Sequence, residues 1–311
     1  MSGLAAAPAP LPDSMVFIER DWLSSNQVLF FDGDEATLID SGYVKHAPMT
    51  LALLDAQLRR RPQARLTRLL NTHLHSDHCG ANAAIARAHG CAIHVPAISL
   101  PAVTGWDREA LTHAATAQRC ERFRADHGIE PGDRFTMGGA QWVALAAPGH
   151  DPHSLIFHCA EHRLLIAADA LWENGFGVIF PELEGRSGFA EQQAVLELIA
   201  SLPVERVLPG HGPMFTDVGG ALARAHARLR SVRENTQRYA RNALKVMIKF
   251  RMLDDETMTM QALQEAAAGA SVLRNSAALL GLPLAEAVER CTDELVAQQQ
   301  LRRDGDRLFN S

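Results

Sequence analysis

Three observations predict an α/β fold with a helical C-terminal appendage. From residue 15 to residue 217, apolar runs of strand length alternate with helical patterns, in two similar halves. In the first half, one strand leads straight into a histidine-rich turn and then a helix. Past Gly219-Gly220, helical periodicity takes over almost to the end of the chain. A chain of 311 residues has room for one large domain, or for a domain of roughly 200 residues with an appendage. The organisation read from this is an N-terminal arm over 1–14, an α/β domain over 15–217 and a C-terminal helical domain over 218–311.

The arm is rich in Ala and Pro. It lacks a basic start and a continuous apolar core, so it reads as disordered and not as a signal peptide. Met15–Ile18 and Gln27–Phe31 read as strands, with Asp32-Gly33-Asp34 as the turn into the strand Ala36–Ile39. Asp40 ends that strand, ahead of Ser41-Gly42. Between 46 and 60, Met49, Leu51, Leu53, Leu54 and Leu58 suit an amphipathic helix, and Arg59-Arg60-Arg61 stand where its dipole favours cations. Leu66–Leu70 is a buried strand, and Ala81–His89 is an alanine-rich helix stopped by Gly90. Cys91–Pro96 is a short strand in which His94 alternates with apolar neighbours and reads as structural. Residues 106–127, with His113 and His127, are mixed and polar and read as helical surface without chemistry. Gln141–Ala146, Ser154–Cys159 and Arg163–Ala167 are strands. Residues 171–189 form a long loop rich in Gly and aromatics, with Ser187 capping a helix over Phe189–Ser201. Val204–Leu208 is the last strand of this half.

The turn after Leu70 reads Asn71-Thr72-His73-Leu74-His75-Ser76-Asp77-His78-Cys79-Gly80. Its three histidines and one aspartate can each ligate a metal, through an imidazole nitrogen or a carboxylate oxygen. In an extended chain His73 and His75 point to the same side. Asp77 and His78, at the mouth of the following helix, can face a neighbouring point in space. That arrangement suits two adjacent metals better than one. His150, Asp169 and His211 stand at the ends of later strands, in Ala147-Pro148-Gly149-His150, Leu165-Ile166-Ala167-Ala168-Asp169 and Leu208-Pro209-Gly210-His211.

With Leu38-Ile39-Asp40-Ser41-Gly42, these five motifs resemble the signature of the metallo-β-lactamase superfamily over about residues 15 to 215. The resemblance implies a four-layer αββα sandwich. It implies one metal on His73, His75 and His150, a second on Asp77, His78 and His211, and Asp169 between them with one oxygen on each. Asp40 would hydrogen-bond the metal loop. The cofactors implied are two divalent metal ions, zinc ahead of manganese or iron. A water bridging them, acidified to near neutrality, would be the nucleophile, with Asp77 orienting it and passing a proton to the leaving group. Ala168 departs from the Gly that commonly precedes the bridging Asp. Asp169 argues against the true β-lactamases, and His75 against the flavin-partnered di-iron group, which has Glu there. The branches that remain are similar to glyoxalase II and to β-lactamase-like protein 2. They imply a dinuclear hydrolase of a small-molecule thioester or carboxylic ester. The alternatives are a phosphodiesterase or endoribonuclease of the same superfamily, or a lactonase. Lactonases often place a tyrosine by the metals, and the tyrosines here are Tyr43 and Tyr239.

In the tail, Leu222, Ala225, Leu229, Val232, Thr236, Tyr239, Ala243, Val246 and Phe250 recur at spacings of three and four, as on one long helix or two in line. Arg224, Arg228, Arg230, Arg233, Arg238, Arg241, Lys245, Lys249 and Arg251 fill the remainder. This basic 221–251 stretch is either a solvated face, a surface for nucleic acid or another anion, or the seam of a homodimer. Met260–Ala268 and Leu284–Gln298 are helical, and Gln300–Phe309 is a hairpin with an Asp304-Gly305 turn, a winged-helix-like ending. A net charge of −6 leaves no global footprint for nucleic acid, and no run approaches a membrane span. Five scattered cysteines make neither a disulfide framework nor a C-x-x-C site, so a reducing cytoplasm is the expected compartment.

Overall fold

The structure is a computed structural model and describes residues 10–311. Most of the arm expected over 1–14 lies outside the described residues. Two sheets carry the fold. The first holds β1 (Met15–Ile18), β2 (Gln27–Asp32), β3 (Glu35–Ile39), β4 (Arg65–Leu70), β5 (Ala92–Pro96) and β6 (His127–Ile129), side by side in chain order. Its first two pairings are antiparallel and the rest parallel. The second holds β7 (Arg134–Met137), β8 (Ala140–Ala146), β9 (Leu155–Cys159), β10 (Leu164–Ala168) and β11 (Arg206–Pro209), also in chain order, with only β10 and β11 parallel.

The period of two along each strand decides the layers. In β2, Val28 and Phe30 join Trp142, Phe157, Leu164, Ile166 and Leu208 in a core between the two sheets. Leu29 and Phe31 join a second core on the other face. Over that core lie α1 (Ala47–Leu58), the short α2 (Ser76–Cys79), α3 (Asn82–His89) and α4 (Leu100–Gly105). α3 stops because Gly90 turns left-handed, at φ 68°. In β10, Leu164 and Ile166 face between the sheets while Leu165 and Ala167 enter a third core. The helices on that side include α5 (Phe180–Leu183), α6 (Phe189–Ser201), α7 (Val218–Glu234) and α8 (Thr236–Asp255). The result is helix, sheet, sheet, helix, the four layers expected.

The tail's periodic stripe is two helices. They part at Asn235, whose side chain accepts the Arg238 N–H and caps α8. α9 (Met260–Gly269), α10 (Ser271–Leu279) and α11 (Leu284–Ala297) follow, with a small sheet of β12 (Thr257–Thr259), β13 (Leu301–Asp304) and β14 (Arg307–Asn310). β13 and β14 are the expected hairpin, turning at Gly305 with φ 61°. Leu263, Val272, Val288 and Leu308 of the tail share one apolar cluster with Ile156, Leu165 and Val207 of the second sheet.

Two local expectations are corrected. Residues 107–126 contain no helix. α4 ends where Trp106 turns left-handed, and turns follow, with Leu111, His113, Ala115 and Phe123 buried. Ser187 does not cap α6. Its hydroxyl donates to Glu191, and the Gly188 and Phe189 N–H groups go to Glu182 Oε1, at 2.9 and 2.8 Å. A carboxylate reaching that helix N-terminus meets its positive end and outcompetes a hydroxyl.

Candidate metal centre

The C-terminal ends of β3, β4, β8, β10 and β11 open at one end of the sandwich and deliver Asp40, the His73–His78 turn, His150, Asp169 and His211. Backbone hydrogen bonds fix these ends to one another. The Leu155 N–H donates to the Thr72 carbonyl at 2.8 Å, Asn26 to Gly210 at 2.7 Å, and Ser41 to His78 at 2.7 Å. β10 bulges just before Asp169, and Ala168 sits at φ 46°. A left-handed residue with a Cβ costs roughly 1–2 kcal/mol, and Gly escapes that cost. The departure from Gly at this position is therefore a strained alanine. Next to it, a Cβ on Gly210 would stand 2.3 Å from Asp169 Oδ1, so only glycine lets the two strand ends meet.

The seven candidate ligands fall into two groups. His73 Nε2 lies 3.0 Å from His75 Nδ1, which lies 2.7 Å from His150 Nε2. In the other group, His211 Nε2 is 3.1 Å from Asp77 Oδ2 and His78 Nε2 is 3.4 Å from Asp169 Oδ1. Asp169 spans them, since its Oδ2 is 3.3 Å from His150 Nε2. Six of the seven are buried, and Asp77 is partly exposed.

Hydrogen bonds set the tautomers. His150 Nδ1 donates to the Val178 carbonyl, which leaves Nε2 bare. Asp40 accepts the Thr72 N–H at 2.9 Å, the Thr72 hydroxyl at 2.8 Å and His78 Nδ1–H at 2.8 Å. His78 Nε2 is then buried without a hydrogen-bond partner. Burial pushes His75 and His150 down to about 4 and His73 well below its ordinary value, so these imidazoles are neutral, as ligands must be. Burial also opposes charge on His78, but Asp169 and Asp40 outweigh it and hold its pKa well above the usual range. Burial would raise Asp169, yet His211 and His78 hold it well below the usual carboxylate value. Asp77 is lowered against its burial by the His211 hydrogen bond and the neighbouring imidazoles. Bare imidazole lone pairs and ionised carboxylates converging in a buried cluster fit two divalent cations, and the carboxylates that raise the His78 pKa mark where a cation's charge would serve.

Aromatic side chains wall the opening. Trp22, 60% exposed, stacks on His211 with centroids 5.4 Å apart, and its edge meets Trp172. Trp172 Nε1 donates to Asp169 Oδ1 at 3.2 Å. Phe180 packs against His75 and His150. The 171–189 loop thus lies along the site, whereas Trp22 was not singled out from the sequence. Its signal would have been a tryptophan in an otherwise polar inter-strand loop.

Other residues are drawn elsewhere. The Tyr43 hydroxyl donates to Asp254 at 2.8 Å and that of Tyr239 to the Ile179 carbonyl at 2.6 Å. His94 packs on His127, and His153 bonds Ser99. Along the basic stretch, Arg224 bonds Asp217 and the Glu173 carbonyl, and Arg228 lies over the Phe176 ring. Arg241 and Lys245 pair with Glu294, Lys249 bonds Gln300, and Arg251 pairs with Asp255. Among the described residues, no helix is long and apolar enough to cross a membrane.

The sequence pattern of the Metallo-beta-lactamase superfamily matches residues 20–211. A hydroxyacylglutathione hydrolase of Rhizobium meliloti is 33% identical over 134 residues, 43% of this chain and 44% of that protein. An acyl-coenzyme A thioesterase, MBLAC2 of Gallus gallus, is 29% identical over 46% of this chain and 56% of that protein. The chain thus spans about half the length of these curated relatives. Among solved structures, TTHA1623 in a di-iron-bound form superposes with a TM-score of 0.53 at 26% identity, over 68% of this chain and 98% of that one.

Proposed function

Because the chain belongs to the metallo-beta-lactamase superfamily, we propose that it is a dinuclear metal-dependent hydrolase whose substrate is a thioester. The observation that carries this reading is Asp169, with one oxygen toward each group of histidines. On this reading His73, His75 and His150 hold one divalent cation, Asp77, His78 and His211 the other, and Asp169 both. Zinc suits such a mixture of imidazole and carboxylate, and manganese or iron is the alternative. Two relatives named for thioester substrates and one structure with two irons support the reading. Bound cations there would polarise the substrate carbonyl and acidify water.

The chain's own residues do the rest. Asp77 is the partly exposed member of the set and is held ionised, so it can take a proton from water and return it to the leaving thiol. Asp40 fixes the His78 ring and its tautomer. Trp22, Trp172 and Phe180 give the acyl portion an apolar wall and exclude water from one side. A phosphodiester would call for cations at the opening. Arg224 and Arg228, which reach the loop from α7, are already engaged by Asp217 and Phe176, and Arg186 within the loop pairs with Glu184. Both tyrosine hydroxyls are likewise committed, which weighs against a lactonase. The compartment proposed is the cytoplasm, in keeping with five free cysteines.

Zinc- and manganese-loaded protein assayed side by side on an acyl thioester and on a phosphodiester tests this, with Asp77→Ala as the blank. Thioester cleavage above the blank without phosphodiester cleavage is expected. The reverse pattern would overturn the proposal.

A further inference from the structure

A second convergence of ligating atoms lies behind the candidate centre and shares no residue with it. Cys79, at the end of α2, is fully buried. Its Sγ lies 3.8 Å from Cys120 Sγ and 3.9 Å from His113 Nε2. His113 is buried and Cys120 is half-buried. The Leu74 carbonyl oxygen completes the group, 3.0 Å from His113 Nε2 and 3.4 Å from Cys79 Sγ. The two sulfurs are too far apart for a disulfide, which needs about 2.05 Å. Their spacing is the one a tetrahedral ion imposes. Zinc–sulfur bonds of about 2.3 Å set two thiolates roughly 3.8 Å apart and an imidazole nitrogen about 3.5 Å from each, so the sulfurs stand at that spacing and His113 Nε2 has a few tenths of an ångström to move inward.

We propose that Cys79, His113 and Cys120 bind a third metal ion, a zinc-class divalent cation, in a structural site separate from the dinuclear centre. Two thiols lose their protons to solvent as the ion enters, and the His113 proton, which Nε2 donates to the Leu74 carbonyl, moves to Nδ1, so a doubly charged cation and two thiolates leave the pocket neutral. The Leu74 carbonyl, or a water in its place, takes the fourth position. The consequence is mechanical. Leu74 lies between His73 and His75, and Cys79 directly follows His78. The ion therefore ties both parts of the His73–His78 turn to the 107–126 segment, which has no helix or strand of its own to hold it.

Protein purified under reducing conditions, stripped with chelator and reloaded with cobalt(II) alone tests this. The wild type is expected to take up three equivalents per chain and to show a thiolate-to-cobalt charge-transfer band in the near ultraviolet, which histidine and aspartate ligands cannot produce. Cys120→Ser, at a half-buried position outside any helix or strand, is expected to take up two equivalents, lose that band and keep the visible bands of the other two ions. A saturated wild type with two equivalents and no thiolate band would overturn the proposal. So would a Cys120→Ser protein that keeps three equivalents and the band. Neither readout uses turnover, so a failure of the thioesterase reading leaves this test intact.

Discussion

Replacing Asp40 by Asn changes almost no volume but reverses one hydrogen bond. Asp40 Oδ1 accepts the Thr72 N–H, and Oδ2 accepts both the Thr72 hydroxyl and His78 Nδ1–H. An asparagine oxygen keeps the backbone bond, and its amino group then occupies the Oδ2 place and faces a donor. His78 resolves the conflict by moving its proton to Nε2, the atom 3.4 Å from Asp169 Oδ1. The lone pair offered to the second cation is lost. If the ring keeps its tautomer instead, two buried donors face each other, at about 1–3 kcal/mol for the unsatisfied group. Losing such an outer partner typically weakens metal binding about 10–100-fold, equivalent to about 1.4–2.8 kcal/mol. Stepwise zinc titration against a chromophoric chelator separates the two ions. The expected result is one step unchanged and one weakened by that factor, with chelated Asp40→Asn still unfolding cooperatively on heating. Two steps indistinguishable from wild type would refute the assignment of Asp40 as the group that orients His78.

Four further outcomes follow from the same structure. Asp77→Asn should lower kcat by about 10²–10⁴-fold, the usual contribution of a positioned acid–base group, with the ion on His73, His75 and His150 still bound by elemental analysis. In Gly177→Ala the new Cβ would stand 2.4 Å from His150 Nδ1, so metal content should fall. Gly219→Ala meets open space in α7 and should gain about 0.5–1 kcal/mol in denaturant unfolding. His113 gives a pH dependence. Burial lowers its pKa from 6.5 to about 4, so the unfolded chain binds more protons below pH 6.5. Stability of the chelated protein should fall from pH 6.5 toward pH 4, with His113 contributing up to about 1.4 kcal/mol per pH unit. His113→Gln should flatten the profile by that slope, and parallel profiles would remove His113 from the account.

What could be read from the chain alone was what the chain encodes locally. Val28 and Leu29 announce two cores because neighbours on a strand face opposite ways. The His73–His78 run carries its candidate ligands within one turn, and His150, Asp169 and His211 each follow a recognisable strand end. Pairings made over long separations were not legible. β6 and β7 are too short to stand out without their neighbours. His113 looked like surface because its surroundings, Leu74 and Cys79, lie more than thirty residues away. Arg241 and Lys245 looked like a basic face because Glu294, which pairs with both, comes from α11.

The two groups of candidate ligands each draw on both sheets. His73 and His75 follow the first sheet and need His150 from the second, and Asp77 and His78 need Asp169 and His211. Neither half of the sandwich can complete either of these two groups alone. An ion at either of these two groups therefore locks a docking that apolar burial has already achieved, whereas the Cys79, His113 and Cys120 group lies wholly within the first half. Order of assembly runs from core to cation. Removing ions from those two shared groups should leave the rate at which the halves meet unchanged and raise the rate at which they part.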